Sequence, residues 1–183
     1  MSNRQDEAGL TLVELLVVVA ISGLVVPVLT GALVMGWKTT DATVASLSDS
    51  RNRQLAPSLF TRDAQNAKAI DTTTSDTTCV SVGDTLLVRL RWTETDGSGV
   101  AVNRVAAWVL TTGAERLLER RYCATATTVT SSVTAAHGVV GTPGVTCRSA
   151  AGATVGCGLA ATVDLTVTDA SGTFTATGRR RAP

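Results

Sequence analysis

Glu14 poses the sharpest chemical question in this chain. It stands at the head of an uncharged stretch, Leu15 to Met35, reading LLVVVAISGLVVPVLTGALVM. A carboxylate inside an apolar span costs about 2.5–3.5 kcal/mol on insertion scales. Glu14 therefore calls for a positive partner. A second reading places it at headgroup level, where it complements the positive end of its own helix.

The other chemistry-bearing residues lie downstream. Cys79, Cys123, Cys147 and Cys157 all follow the apolar stretch, and none forms a Cys-x-x-Cys. An even count in that pattern points to disulfides outside the cytoplasm rather than to a metal or redox site, with free buried thiols as the alternative. Cys147 and Cys157 enclose a loop whose closure is worth about 3 kcal/mol. Cys79 with Cys123 would then tie two strands, worth about 4 kcal/mol in the same treatment. Four cysteines allow three pairings, and spacing does not choose among them.

The inventory for catalysis is thin. His137 is the single histidine, set among Thr, Ala and Gly, and reads as a surface loop residue. No nucleophile elbow surrounds a serine. His137 and the cysteines lack zinc-ligand spacing. Asp164 and Asp169 could feed a calcium site, but no Asp-rich loop of the EF-hand kind is present, and turns are their better use. No phosphate loop or dinucleotide fingerprint occurs. We therefore expect no catalytic residue, metal or cofactor, and no enzyme. Arg179-Arg180-Arg181 would suit a phosphate partner such as DNA, but a solvated, frayed terminus is the favoured reading. Arg89, Arg91, Arg120 and Arg121 read as further exposed charge.

The elements that must position these residues follow from length and pattern. The 183 residues suit one modest domain plus an accessory segment, and a net charge of +1 supplies no global field for an acidic partner. An uncharged run of roughly 20 residues crosses a bilayer as a helix. Trp37 and Lys38 follow at once, as at a membrane–water interface. An ordinary secretory signal has a shorter apolar region and a small-residue cleavage site. From 38 to 70 the sequence turns polar, with Val44, Leu47, Leu55, Leu59, Ala67 and Ile70 at roughly helical spacing. Pro57 predicts a kink or break near 53–57. Arg51, Arg53, Arg62 and Asp63 read as the solvated face of this amphipathic helix.

Asp71–Thr78 reads as a polar loop, and Cys79–Val82 as the start of strand-like sequence. Leu86, Val88, Leu90 and Trp92 then alternate with Leu87, Arg89 and Arg91, as in a half-buried strand. Asp96-Gly97-Ser98-Gly99 is a turn. Strands are expected at Val100–Leu110 and Leu117–Cys123. A hairpin is expected where Val163, Leu165 and Val167 alternate before Asp169-Ala170-Ser171-Gly172. Residues 124–158 read as an irregular insertion. A long helix followed by an antiparallel meander is an α+β pattern, with 71–183 as the β-domain.

Gly9, followed by Leu10-Thr11-Leu12-Val13-Glu14 and then the apolar run, resembles the prepilin cleavage and methylation motif of type IV pilins and type II secretion pseudopilins. The resemblance covers about the first 30 residues. It implies a pilin-like fold, with the long helix packed on a small antiparallel sheet. It implies a cytoplasmic leader, 1–9, that prepilin peptidase cuts between Gly9 and Leu10. Leu10 would then be N-methylated, and 10–37 would be the membrane and assembly helix. Departures are Leu10 where Phe is usual, Arg4 offset by Asp6 and Glu7, and Pro27 nearer the N-terminus than the usual kink proline. Gly23 matches a small mid-helix residue.

Cleavage would create an amine four residues from Glu14, about one helical turn. The resemblance favours pairing between that amine and Glu14 of a neighbouring subunit. It further implies membrane lipid before assembly, an inner-membrane assembly platform, other pilin or pseudopilin subunits as partners, and a cell-surface filament. Leu118-Glu119-Arg120 before Cys123 looks like the J-type minor pseudopilin, and a large β-domain suits a tip or initiation subunit. The alternative is a membrane-anchored extracytoplasmic binding domain that never polymerises and keeps its leader. A membrane-anchored hydrolase lacks support in the residue inventory.

Overall fold

The computed structural model describes the backbone of residues 12–124 and 128–181, and the side chains of all of these except 38, 41–49 and 52. The chain divides into two units, residues 1–46 and 47–183. One helix, α1 (Leu12–Asn66), supplies the described part of the first unit and the opening element of the second.

In the first unit α1 carries no charge on any side from Leu15 to Trp37. Residues Leu12–Trp37 form a 26-residue stretch, long and apolar enough to cross a membrane, with none of it buried. Three threonine hydroxyls are satisfied within the helix: Thr30 Oγ1 donates to the Val26 carbonyl (2.8 Å), Thr39 Oγ1 to Met35 (2.9 Å) and Thr40 Oγ1 to Gly36 (2.9 Å).

In the second unit the same helix has a buried stripe. Ala56, Phe60 and Ala64 are fully buried, as is Ala67 just past the helix end. Leu55 and Leu59, expected on the stripe, are half-buried at its margin. The side chains of Val44 and Leu47 lie outside the described residues. The break expected near Pro57 does not occur, because α1 runs unbroken through it. Proline removes one backbone donor. The flanking turns, carrying Ala56 and Phe60, are held by tertiary packing that offsets this loss.

The helix ends at Asn66, and Ile70, expected at its end, instead lies in strand β1 (Ala69–Asp71). A five-stranded antiparallel sheet follows in the order β1-β2-β3-β4-β5. Its other members are β2 (Thr85–Thr95), β3 (Ala101–Leu110), β4 (Leu118–Cys123) and β5 (Ser131–Ala136). A separate three-stranded antiparallel sheet contains β6 (Gly144–Arg148), β7 (Thr162–Asp169) and β8 (Gly172–Arg179). The 124–158 stretch is therefore not merely irregular: it supplies β5, which pairs with β4, and β6, which opens the second sheet. Its Thr- and Ala-rich composition hid strands that pairing stabilises.

The α+β, pilin-like layout is thus realised, with the β part split into two sheets. One core joins α1 to both: Phe60, Val88, Leu90, Trp108, Leu118, Val163, Leu165 and Val167 are all buried within it. At Gly178 of β8, a Cβ would lie 2.2 Å from the Ala64 Cβ, so only glycine permits this approach of strand to helix.

The far face of the five-stranded sheet carries a second cluster: Leu86, Val105, Ala107, Val109, Cys79 and Cys123. The loop 72–84 lies against it. Cys79-Val80-Ser81-Val82 is therefore not a strand but part of this loop. The disulfide Cys79–Cys123 (Cα–Cα 6.0 Å) ties the loop to β4 rather than strand to strand. The second bridge is Cys147–Cys157 (Cα–Cα 5.1 Å), joining β6 to a short 3-10 helix, Cys157–Leu159.

Candidate functional site

The first candidate site is the N-terminal segment. Gly9 and Leu10, the expected cleavage and methylation residues, lie outside the described residues. Glu14 sits in the first turn of α1, where a carboxylate suits the positive helix end, and its side chain is exposed. Around and after it, Leu12, Val13, Leu15, Leu16 and the following Val, Ile and Leu side chains are exposed to between 43% and 78%. Contiguous apolar exposure on this scale marks a surface made for lipid or for another chain. At 1.5 Å per residue, 26 residues extend about 39 Å, more than the roughly 30 Å hydrocarbon core.

The second unit contains charge clusters that the sequence reading misplaced. Asp63, expected on a solvated face, is 1% exposed. Arg120 grips it with two bonds, Nε to Oδ2 at 2.6 Å and Nη2 to Oδ1 at 2.7 Å. The indole Nε1 of Trp108 donates to the same carboxylate at 3.2 Å. Phe60 meets Trp108 edge-on, with ring centroids 5.3 Å apart. Arg120 also lies 5.8 Å from the Tyr122 ring centroid. A helix carboxylate and two sheet side chains thus meet in the core, and they fix where α1 sits on β3 and β4.

Arg89 and Arg121, expected exposed, are buried as well. Arg89 Nη1 lies 2.7 Å from Asp76 Oδ2, and its Nη2 donates to the Thr73 carbonyl. Arg91 pairs with Asp71 and Asp76. Arg121 bridges Asp84 at 2.7 Å and Glu119 at 2.9 Å, and donates to Ser81 Oγ at 2.9 Å. These pairs hold the loop 72–84 on the sheet beside the disulfide. Hydrogen bonds from Thr78, with Arg91 and Arg89 adding to them, hold the Asp76 carboxyl far below the ordinary range. Burial pushes Asp71 upward, but bonds from Thr73 and the charges of Arg89 and Arg91 outweigh it and leave it lowered.

The signal that could have located these pairs was the number of carboxylates at 63, 71, 76, 84 and 119 available to arginines at alternating strand positions. Burial of an arginine requires such partners.

The remaining sequence candidates have local roles. His137 Nδ1 lies 3.5 Å from Glu115 Oε1 at the surface. Asp169 Oδ1 accepts from the Ser171 backbone N–H and hydroxyl, closing the β7–β8 turn, where Gly172 adopts φ 130°. Asp164 pairs with Arg148 at 3.0 Å and accepts from Thr177. Neither aspartate joins a metal-ligand group among the described residues.

Residues 4–26 match the family model described as the prokaryotic N-terminal methylation motif. The class this supports is the prepilin class: type IV pilins and pseudopilins, structural proteins that prepilin peptidase processes. Together with the apolar helix it supports a membrane anchor. No curated protein and no solved structure matches the chain.

Proposed function

We propose that this chain is a structural pilin or pseudopilin subunit, and a minor one at the tip or start of its filament. Prepilin peptidase removes residues 1–9 after Gly9, and Leu10 becomes the N-methylated terminus. The apolar helix then waits in the membrane until an assembly platform delivers it to neighbouring subunits. The observation that carries the reading is the methylation motif over residues 4–26 running into a helix whose apolar side chains the chain itself leaves unburied. The large two-sheet β part supports a tip role, since a bulky domain is easier to seat at a filament end than along its length.

In this reading Glu14 pairs with the methylated amine of the neighbouring subunit and sets axial register. Mass spectrometry of the mature protein tests the processing: the expected terminus is methylated Leu10, whereas an intact Met1 overturns it and favours a non-polymerising anchor. Glu14→Val tests the pairing. The variant should be processed but absent from sheared filaments, and wild-type assembly would refute the pairing.

A further inference from the structure

α1 stops at Asn66, but the sheet beneath it continues. Val88 and Leu90 of β2 are buried in the core that includes the helix, whereas Trp92 is half-buried and Glu94 is exposed. Past the helix end lies a groove of about 660 Å³, lined by Asn66, Lys68, Trp92, Glu94, Arg180 and Arg181. Its rims are not frayed. The Lys68 backbone N–H donates to the Arg91 carbonyl (2.8 Å), and that of Arg180 to Ala161 (2.8 Å). Arg180 Nη1 also donates to the Gly158 carbonyl at 3.2 Å. The arginine run at the C-terminus is thus pinned beside β7 at least through Arg180, contrary to the frayed-tail expectation.

The charge of the groove is one-sided. Glu94 is engaged by Arg104 at 3.1 Å. Among the described residues, none of the ion pairs uses Lys68, Arg180 or Arg181. Three cations outside any ion pair among the described residues therefore share this groove with one aromatic side chain. Trp92 is itself steadied by Tyr122, 6.1 Å away between centroids. Guanidinium forks suit phosphate oxygens, and an indole face is a sequence-tolerant platform for a base. A groove with preorganised rims loses little freedom on binding.

We propose that this groove binds single-stranded nucleic acid, with one base stacked on Trp92 and flanking phosphates on Lys68, Arg180 and Arg181. The site does not depend on whether the chain polymerises. The test is fluorescence anisotropy of the full chain in detergent with a labelled oligothymidylate. Three phosphate contacts predict a slope of log affinity against log salt of about −2. Lys68→Ala with Arg181→Ala, both at exposed positions, should reduce the slope towards that of a single contact. Trp92→Ala should weaken binding about tenfold, and Trp92→Phe should restore most of it. Because Trp92 also touches the core, the thermal melt of each variant is recorded alongside. Wild-type affinity in the Lys68/Arg181 double variant would overturn the proposal. So would equal affinity for an abasic phosphodiester polymer, tighter binding of duplex, or stronger retention of heparin, which would assign the groove to an acidic glycan.

Discussion

Asp63→Ala would leave the Arg120 guanidinium in the core with no counter-charge. Removing one partner of a buried pair costs about 3–5 kcal/mol, mostly because the other charge stays desolvated. The upper part of that range applies here, since Asp63 is 1% exposed, Arg120 holds it with two bonds of 2.6 and 2.7 Å, and Trp108 loses its acceptor too. At about 3 °C per kcal/mol for a domain of this size, the melting midpoint should fall by about 10–15 °C. Arg120→Met should cost a similar amount by stranding the carboxylate. The double variant Asp63→Leu with Arg120→Met should recover most of the loss, because a packed apolar pair removes both desolvation penalties. The assay is thermal unfolding of the purified chain followed by near-ultraviolet circular dichroism, with Trp108 as a reporter. Single variants within about 1 kcal/mol of wild type, or a double variant as unstable as the sum of the singles, would refute the view that this pair is a coupled, buried lock.

Two further outcomes follow from the same packing. The Asp71 and Asp76 carboxyls are held below their ordinary range, so the unfolded chain binds protons before the folded one does as pH falls. Their stabilisation should be complete above about pH 5 and decline as pH drops through the usual carboxylate range. Asp76→Asn should flatten that acid limb, and an unchanged midpoint-against-pH curve would count against the loop cluster. Gly178→Ala would place a methyl 2.2 Å from the Ala64 Cβ and should destabilise by about 1–3 kcal/mol. Ala64→Gly in the same chain should relieve most of that loss in a denaturant melt.

Legibility in the sequence divided along physical lines. The apolar run, the strand alternation from Leu86 to Trp92 and the hairpin about Asp169–Gly172 rest on local period and turn chemistry, and the structure places elements there. The helix through Pro57 and the strands β5 and β6 rest on tertiary packing, which overrides local propensity. The deepest misreading concerned charge. Asp63, Arg89, Arg120 and Arg121 look like solvated residues one at a time. Their burial is decided by partners that no local pattern reveals, such as Asp76 on the loop for Arg89 and Asp63 on the helix, 57 positions away, for Arg120. Motif reading is supported where chemistry is consecutive in sequence, as over residues 4–26, which match the methylation-motif model, and it failed where chemistry is assembled across elements.

The hydroxyls of Thr30, Thr39 and Thr40 each close a bond onto a carbonyl four residues earlier in their own helix. At these three positions the helix arrives in any surroundings with its hydroxyls already bonded. Moving it from acyl chains to a protein neighbour exchanges one apolar contact for another and breaks no hydrogen bond at these threonines. Two solvents are thus nearly equivalent to this stretch. If the chain assembles as proposed, small differences in packing and the proposed Glu14 contact would be enough to decide which of them it occupies.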